Sequence, residues 1–445
     1  MPAFERAPAV PRRGGSRGPR VRPRGTGFPA RRALLAALAL ITALTGCTAP
    51  ADDVVLRTVD PAFVHGTDHG DTDRIAATAV TEVQRYWAAE FPAVFDAPWR
   101  DLDGGFFSVD PNGTAPPPPC SAGVEDVEGN AYYCATVDAI AWDRAALLPV
   151  LREHYGDAAV LLVLAHELGH AVQQRTGMDV GGGAYPIRVE AMADCYAGAF
   201  FGWVAAGGSE HLRLDARAVD GALRALLVFR DPVGTTTHGT AFARISAFQD
   251  GLDRGAAHCA ELTVPEVAEP GPDDPVQPLD DPGRTARLDA FFAEVVAQRG
   301  GAWPDPRVRA GTAPGCPRPR PVAACAEPPT VLLDRAALAE VDHDIGDRAT
   351  GTALASRYAL TALRALGRPT TGPAAGTAVL CLTGAATASD PALSPADLDE
   401  AVEAALIVDG VSADAAGRSA LTGSERVTAL RDGVLGGAPA CLPPR

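Results

Sequence analysis

The stretch Leu164-Ala165-His166-Glu167-Leu168-Gly169-His170-Ala171-Val172-Gln173 decides how this chain is read. It lies within Asp157 to Gln174, where Asp157 is a candidate N-cap and Ala158, Val160, Leu161, Leu162, Val163, Leu164, Leu168 and Val172 form the apolar pattern of a buried helix. Residues four apart share a helix face, so His166 and His170 can direct both imidazoles to one point, with Glu167 beside them. Burying two imidazoles and a carboxylate without partners is costly. That favours a metal ion over a pair of satisfied core histidines near a buried glutamate. The run is too short and too polar for a membrane span.

A catalytic zinc site takes three protein ligands and keeps one position open. Twenty residues past His170 comes Glu190-Ala191-Met192-Ala193-Asp194. Glu190 is the expected third ligand, because it opens a second helical stretch. Asp194, one turn on, is placed to accept a hydrogen bond from a ligand histidine. Gly181-Gly182-Gly183 reads as the loop that turns one helix back toward the other. Zn2+ is the expected cofactor and Glu167 the expected base.

At these residues the chain resembles the neutral zinc metallopeptidase family of bacteria. The resemblance rests on Ala165 to Gln173, on Glu190 through Asp194-Cys195-Tyr196-Ala197-Gly198, and on Tyr132-Tyr133-Cys134. A later stretch, His238-Gly239-Thr240 through Arg244 and Phe248 to Cys259, is similar to that family's C-terminal part. A glutamate four residues before an aspartate also resembles the third-ligand helix of thermolysin-like enzymes. The resemblance implies an α+β domain of the zincin kind that hydrolyses peptide bonds. It makes His238 a candidate donor to the developing oxyanion, with a purely structural loop histidine as the alternative. His154, His211 and His258 carry no motif and read as surface residues.

The beginning of the chain looks like a lipoprotein signal peptide. Nine arginines and one acidic residue occupy positions 1 to 46, followed within that segment by the apolar stretch Ala33 to Leu44 and then by Leu44-Thr45-Gly46-Cys47. Cleavage before Cys47 and lipid attachment to it would anchor the protein on the outer face of a membrane; an ordinary secretory signal with an incidental cysteine is the alternative. Losing that segment takes the formal charge from −16 to about −24. A surface so acidic, in a chain without lysine, repels nucleic acid. The eight cysteines after Cys47 point to disulfides in an exported chain.

Fragments of the first half return in order beyond a stretch rich in proline and acidic residues. Asp143-Arg144-Ala145-Ala146-Leu147 recurs as Asp334-Arg335-Ala336-Ala337-Leu338. His166, Glu167 and His170 fall opposite Ser356, Arg357 and Leu360, and Gly376 stands where Glu190 would. Arg244 through Gly251 and Cys259 match Arg426 through Gly433 and Cys441. Coincidence between two alanine-rich halves is the competing explanation, and the order of the cysteines argues against it. The repeat selects one pairing: Cys120 with Cys134, Cys195 with Cys259, Cys316 with Cys325, Cys381 with Cys441. The expected layout is a signal peptide at 1–46, a zincin-like peptidase domain at 47–262, a linker at 263–283, and at 284–445 a degenerate, metal-free copy of the same fold.

Within the first domain, Asp71 to Phe95 reads as an amphipathic helix packing on the metal helix. Asp103 to Val109 and Ala131 to Trp142 read as strands on either side of the proline run Pro116 to Pro119, and a sheet edge beside the metal helix could bind extended peptide. The expected function is a membrane-anchored extracellular zinc peptidase acting on a peptide or protein. A non-catalytic surface lipoprotein that binds a protein or peptide partner is the alternative. A zinc-scavenging lipoprotein would need more flexible histidines than His65 and His69.

Overall fold

The computed structural model describes residues 54–178, 186–230, 239–263 and 281–443. Helix α1, Asp71–Phe95, buries Ile75, Ala79, Val80, Val83, Trp87 and Phe91, the apolar positions of its helical period. Asp71 and Asp73 in its first turn complement the helix dipole, and Asp96 in the left-handed region ends it. A three-stranded sheet follows: β1 (Gly105–Val109), β2 (Ala131–Cys134) and β3 (Ala139–Asp143), in the order β1-β3-β2. β1 runs parallel to β3, and β2 antiparallel.

The expected single strand over 131–142 is thus a hairpin. Asp138, at φ 57°, reverses the chain, and its carboxylate accepts from Arg175 Nη1 and Nη2 (3.1 and 3.0 Å) and from the Tyr133 hydroxyl (2.7 Å).

Helices α2 (Leu147–Tyr155), α3 (Asp157–Arg175), α4 (Pro186–Ala205), α5 (Ala216–Val228), α6 (Ala241–Arg254) and α7 (Ala256–Ala260) complete the first half. Every residue of α3 from Ala158 to Gly169 is buried, because α1, α2, α4, α5 and β2 surround it. His211 is not a surface residue. Its Nδ1 lies 2.7 Å from Glu82, a fully buried carboxylate that also accepts from the Ser209 hydroxyl at 2.6 Å. The pair fastens the segment after α4 onto α1.

Residues 282–441 run through the same order of elements. Helix α8 (Pro282–Ala297) is followed by β4 (Arg307–Ala310), β5 (Val322–Cys325) and β6 (Thr330–Leu333) in the sheet order β4-β6-β5, with the same parallel and antiparallel pairings. Then come α9 (Arg335–Asp344), α10 (Asp347–Ala365), α11 (Pro373–Ala388), α12 (Pro395–Ile407) and α13 (Gly423–Cys441). Gly255, at φ 77°, separates α6 from α7, and Gly437, at φ 62°, breaks α13 at the corresponding place. Helix α8 begins inside the segment expected to be linker. Asp281 caps it by accepting from the Gly283 and Arg284 amides, while residues 264–280 lie outside the described residues.

All four disulfides join the pairs expected: Cys120–Cys134, Cys195–Cys259, Cys316–Cys325 and Cys381–Cys441. Residues 50–445 form one unit, in which α5 and α6 pack against α12 and α13. The contact is reciprocal. Asp220 on α5 accepts from the Gly423 and Ser424 amides (2.8 and 2.9 Å) at the start of α13, and Asp399 on α12 accepts from the Phe242 amide (2.9 Å) at the start of α6. Among the described residues no helix is long and apolar enough to cross a membrane.

Helices α4 and α6 touch backbone to backbone. A Cβ on Gly198 would overlap the Phe248 carbonyl oxygen, and one on Gly251 would overlap that of Cys195; Gly384 and Gly433 meet Leu430 and Cys381 in the same way. In an exposed helix, Gly→Ala stabilises by about 1 kcal/mol. Here Gly251→Ala and Gly433→Ala should each destabilise the protein, by about 1–3 kcal/mol, as overpacked cores do. Urea unfolding measures the sign, and a variant as stable as the parent would refute the close contact.

Candidate metal centre

His166 and His170 sit one turn apart on α3, and Glu190 comes from the first turns of α4. The Glu190 carboxylate lies between the two rings. Oε2 is 3.3 Å from His166 Nε2, and Oε1 is 3.7 Å from His170 Nε2. One ligand atom from each residue falls within 4.8 Å of the others, and no second group of this kind occurs among the described residues. The expected ligand triad therefore converges.

Both rings are held by their other nitrogen. His166 Nδ1 lies 2.8 Å from Asp194 Oδ1, and His170 Nδ1 lies 2.9 Å from Gln173 Oε1. A carboxylate and an amide oxygen only accept, so each Nδ1 carries a proton and each Nε2, turned toward Glu190, is the nitrogen left for an ion. Gln173 is itself fixed by donating its amide to the Val189 carbonyl at 2.6 Å. Asp194, with no exposed surface, receives Arg244 Nε on Oδ2 at 2.7 Å and Nη2 on Oδ1 at 2.9 Å, while Arg244 Nη1 donates to the Phe229 carbonyl at 2.6 Å.

The electrostatics call for a cation. Burial raises the Asp194 pKa, but Arg244 and His166 outweigh it and bring the value down to about 2. Burial works against a charged His166, yet Asp194 and Glu190 raise it to about 10. Burial, helped by the positive charge of His166, holds His170 down at about 4. Glu190 Oε2 is buried with the His166 ring at 3.3 Å but no well-aligned hydrogen bond, and a divalent ion between the three side chains would satisfy it.

Glu167 differs from the ligands. It is 8% exposed, points into the same cleft, and is pushed up to about 7, chiefly by burial and further by Glu190. The Tyr133 backbone N–H of β2 works against that rise. The cleft measures about 360 Å³ and is lined by Gly129 to Tyr133 on one side and by Leu162, Leu226 and Phe229 on others. A larger cavity, about 510 Å³ between Arg299, Leu366 and Leu442, lies on the second half and holds none of these groups.

Of Ser356, Arg357, Leu360 and Gly376, which the sequence sets opposite the site residues, Arg357 is buried and donates to Ser356 Oγ and the Val411 carbonyl, each at 3.1 Å. A guanidinium in place of a carboxylate repels a metal ion. His238, Gly181 to Gly183 and Cys47 lie outside the described residues.

Two residues escaped the sequence reading. Gln173 stands one turn past His170 in the quoted motif, and that spacing alone could have flagged it. Arg244 is a lone charge among Phe242, Ile245 and Phe248, a pattern that calls for a buried acid without naming it. Comparison of the chain with family models, with curated proteins and with solved structures gives no match.

Replacing Gln173 with leucine leaves His170 Nδ1 without its acceptor. Affinity for Zn2+ or Co2+ should fall about 10- to 100-fold, as read by competition with a chromophoric chelator. An unchanged dissociation constant would mean that Gln173 does not orient the ring.

Proposed function

We propose that this chain is a zinc-dependent peptidase, and the observation that carries the reading is Glu167. A structural metal site has no use for a carboxylate that, unlike Asp194, orients no ligand and lines the open cleft. The resemblance to the neutral zinc metallopeptidases supports the same reading. His166, His170 and Glu190 would hold the ion, and two imidazoles with one carboxylate are the set zinc takes where a fourth place stays open. Bound there, zinc acidifies water and polarises a carbonyl.

The chain's own groups do the rest. Glu167, with a pKa near 7 from burial, takes a proton from the attacking water and returns it to the amine as the carbon–nitrogen bond breaks. The hydroxyl stays on the acyl product. Asp194 and Gln173 keep both Nδ1 protons in place, so the two Nε2 atoms are the ones an ion would take, displacing the proton that His166 carries without it. β2 is an edge strand along the cleft, and an extended peptide could align on its free backbone groups. Leu162, Leu226 and Phe229 offer an apolar wall to one substrate side chain.

The two matching halves support a zincin-like domain followed by a degenerate copy that has kept its disulfides and lost its ligands. Four disulfides fit an exported protein, and Cys47 would carry the lipid that anchors it.

Incubating the purified chain with a diverse peptide library and reading products by mass spectrometry tests the activity. Cleavage should vanish with a chelator and return with zinc. Glu167→Gln should lower turnover at least about 100-fold at unchanged zinc content, since an amide cannot accept the proton. Retained turnover would refute the base, and no cleavage by the zinc-loaded parent would refute the peptidase.

A further inference from the structure

The second half reaches into the metal centre of the first through one helix. We infer that Asp399 and Glu403, one turn apart on α12, are positioning residues for the Arg244–Asp194–His166 chain; the inference rests on the peptidase reading of that centre.

Arg244 can grip Asp194 only if two things around it are fixed. One is the first turn of α6, which carries it. The free N–H groups of a helix start must find acceptors or the turn frays. Thr240 serves the Ala243 amide at 3.1 Å, and Asp399, 7% exposed, serves the Phe242 amide, two residues before Arg244. The other is the Phe229 carbonyl, which accepts from Arg244 Nη1. Arg230, the next residue, is tied to Glu403 at 2.8 Å. One helix of the second half thus fixes the backbone on both sides of the Arg244 guanidinium.

The mirror contact separates this role from plain docking. Asp220 caps α13 as Asp399 caps α6, and Arg426 stands in α13 where Arg244 stands in α6. Arg426 ends on the Leu421 and Leu406 carbonyls, at 3.1 and 3.5 Å, and Leu380 takes the place of Asp194. Both caps join the halves, but only Asp399 leads to a ligand.

The test uses the full chain and four variants, Asp399→Ala, Asp399→Asn, Glu403→Ala and Asp220→Ala. Zinc dissociation constants come from chelator competition, unfolding midpoints from the apo-protein. Asp399→Ala should weaken zinc binding about 10-fold or more. Asp399→Asn, whose amide oxygen still accepts from Phe242, should bring affinity back to within about 3-fold of the parent. Glu403→Ala should shift it in the same direction as Asp399→Ala, which covers the case in which the latter fails to fold. Asp220→Ala should lower the unfolding midpoint and leave zinc affinity unchanged. Equal zinc affinity in Asp399→Ala and the parent, or equal losses in Asp399→Ala and Asp220→Ala, would overturn the inference. A parent chain with no zinc affinity would instead overturn the peptidase reading together with it.

Discussion

A single carboxylate with no exposed surface, Asp194, holds the centre together. An ionised group so deep survives only when paired, and Asp194 is paired twice, with the Arg244 guanidinium from α6 and the His166 ring from α3. It therefore sets three helices in register. Removing Asp194 itself would leave the buried Arg244 guanidinium without its acid and the His166 ring without its acceptor. The ligand pair on α3 is a local matter of helical spacing, but its orientation depends on residues that arrive from elsewhere in the chain.

The contact between the halves has the form of a two-fold association. α5 and α6 face α12 and α13, and each half places an aspartate at the N-terminus of a helix in the other. Such a contact is indifferent to which half carries chemistry. The asymmetry lies inside the halves: the first gathers His166, His170 and Glu190 around one point, and no second group of that kind occurs among the described residues.

Much of this was legible from residue order because it is local. Helical period placed α1 and α3, the spacing of Glu190 and Asp194 placed ligand and support, and the returning order of cysteines selected four pairs among many. What escaped is non-local. Arg244 shows its role only where α6 meets α4, and His211 only where its loop meets Glu82. Asp399 and Asp220 carry no signal in the sequence, since nothing nearby shows whose helix they cap. The hairpin at 131–143 was missed because a continuous strand-like composition hides the turn at Asp138.

Glycine contacts between α4 and α6 determine where the molecule can give. With Gly198 and Gly251 against facing carbonyls and Cys195 bonded to Cys259, these two helices shift as a single rigid block, carrying Glu190, Asp194 and Arg244 together. Any widening of the cleft must then come from α3 or from the opposite lip, where β2 is an edge strand among the described residues.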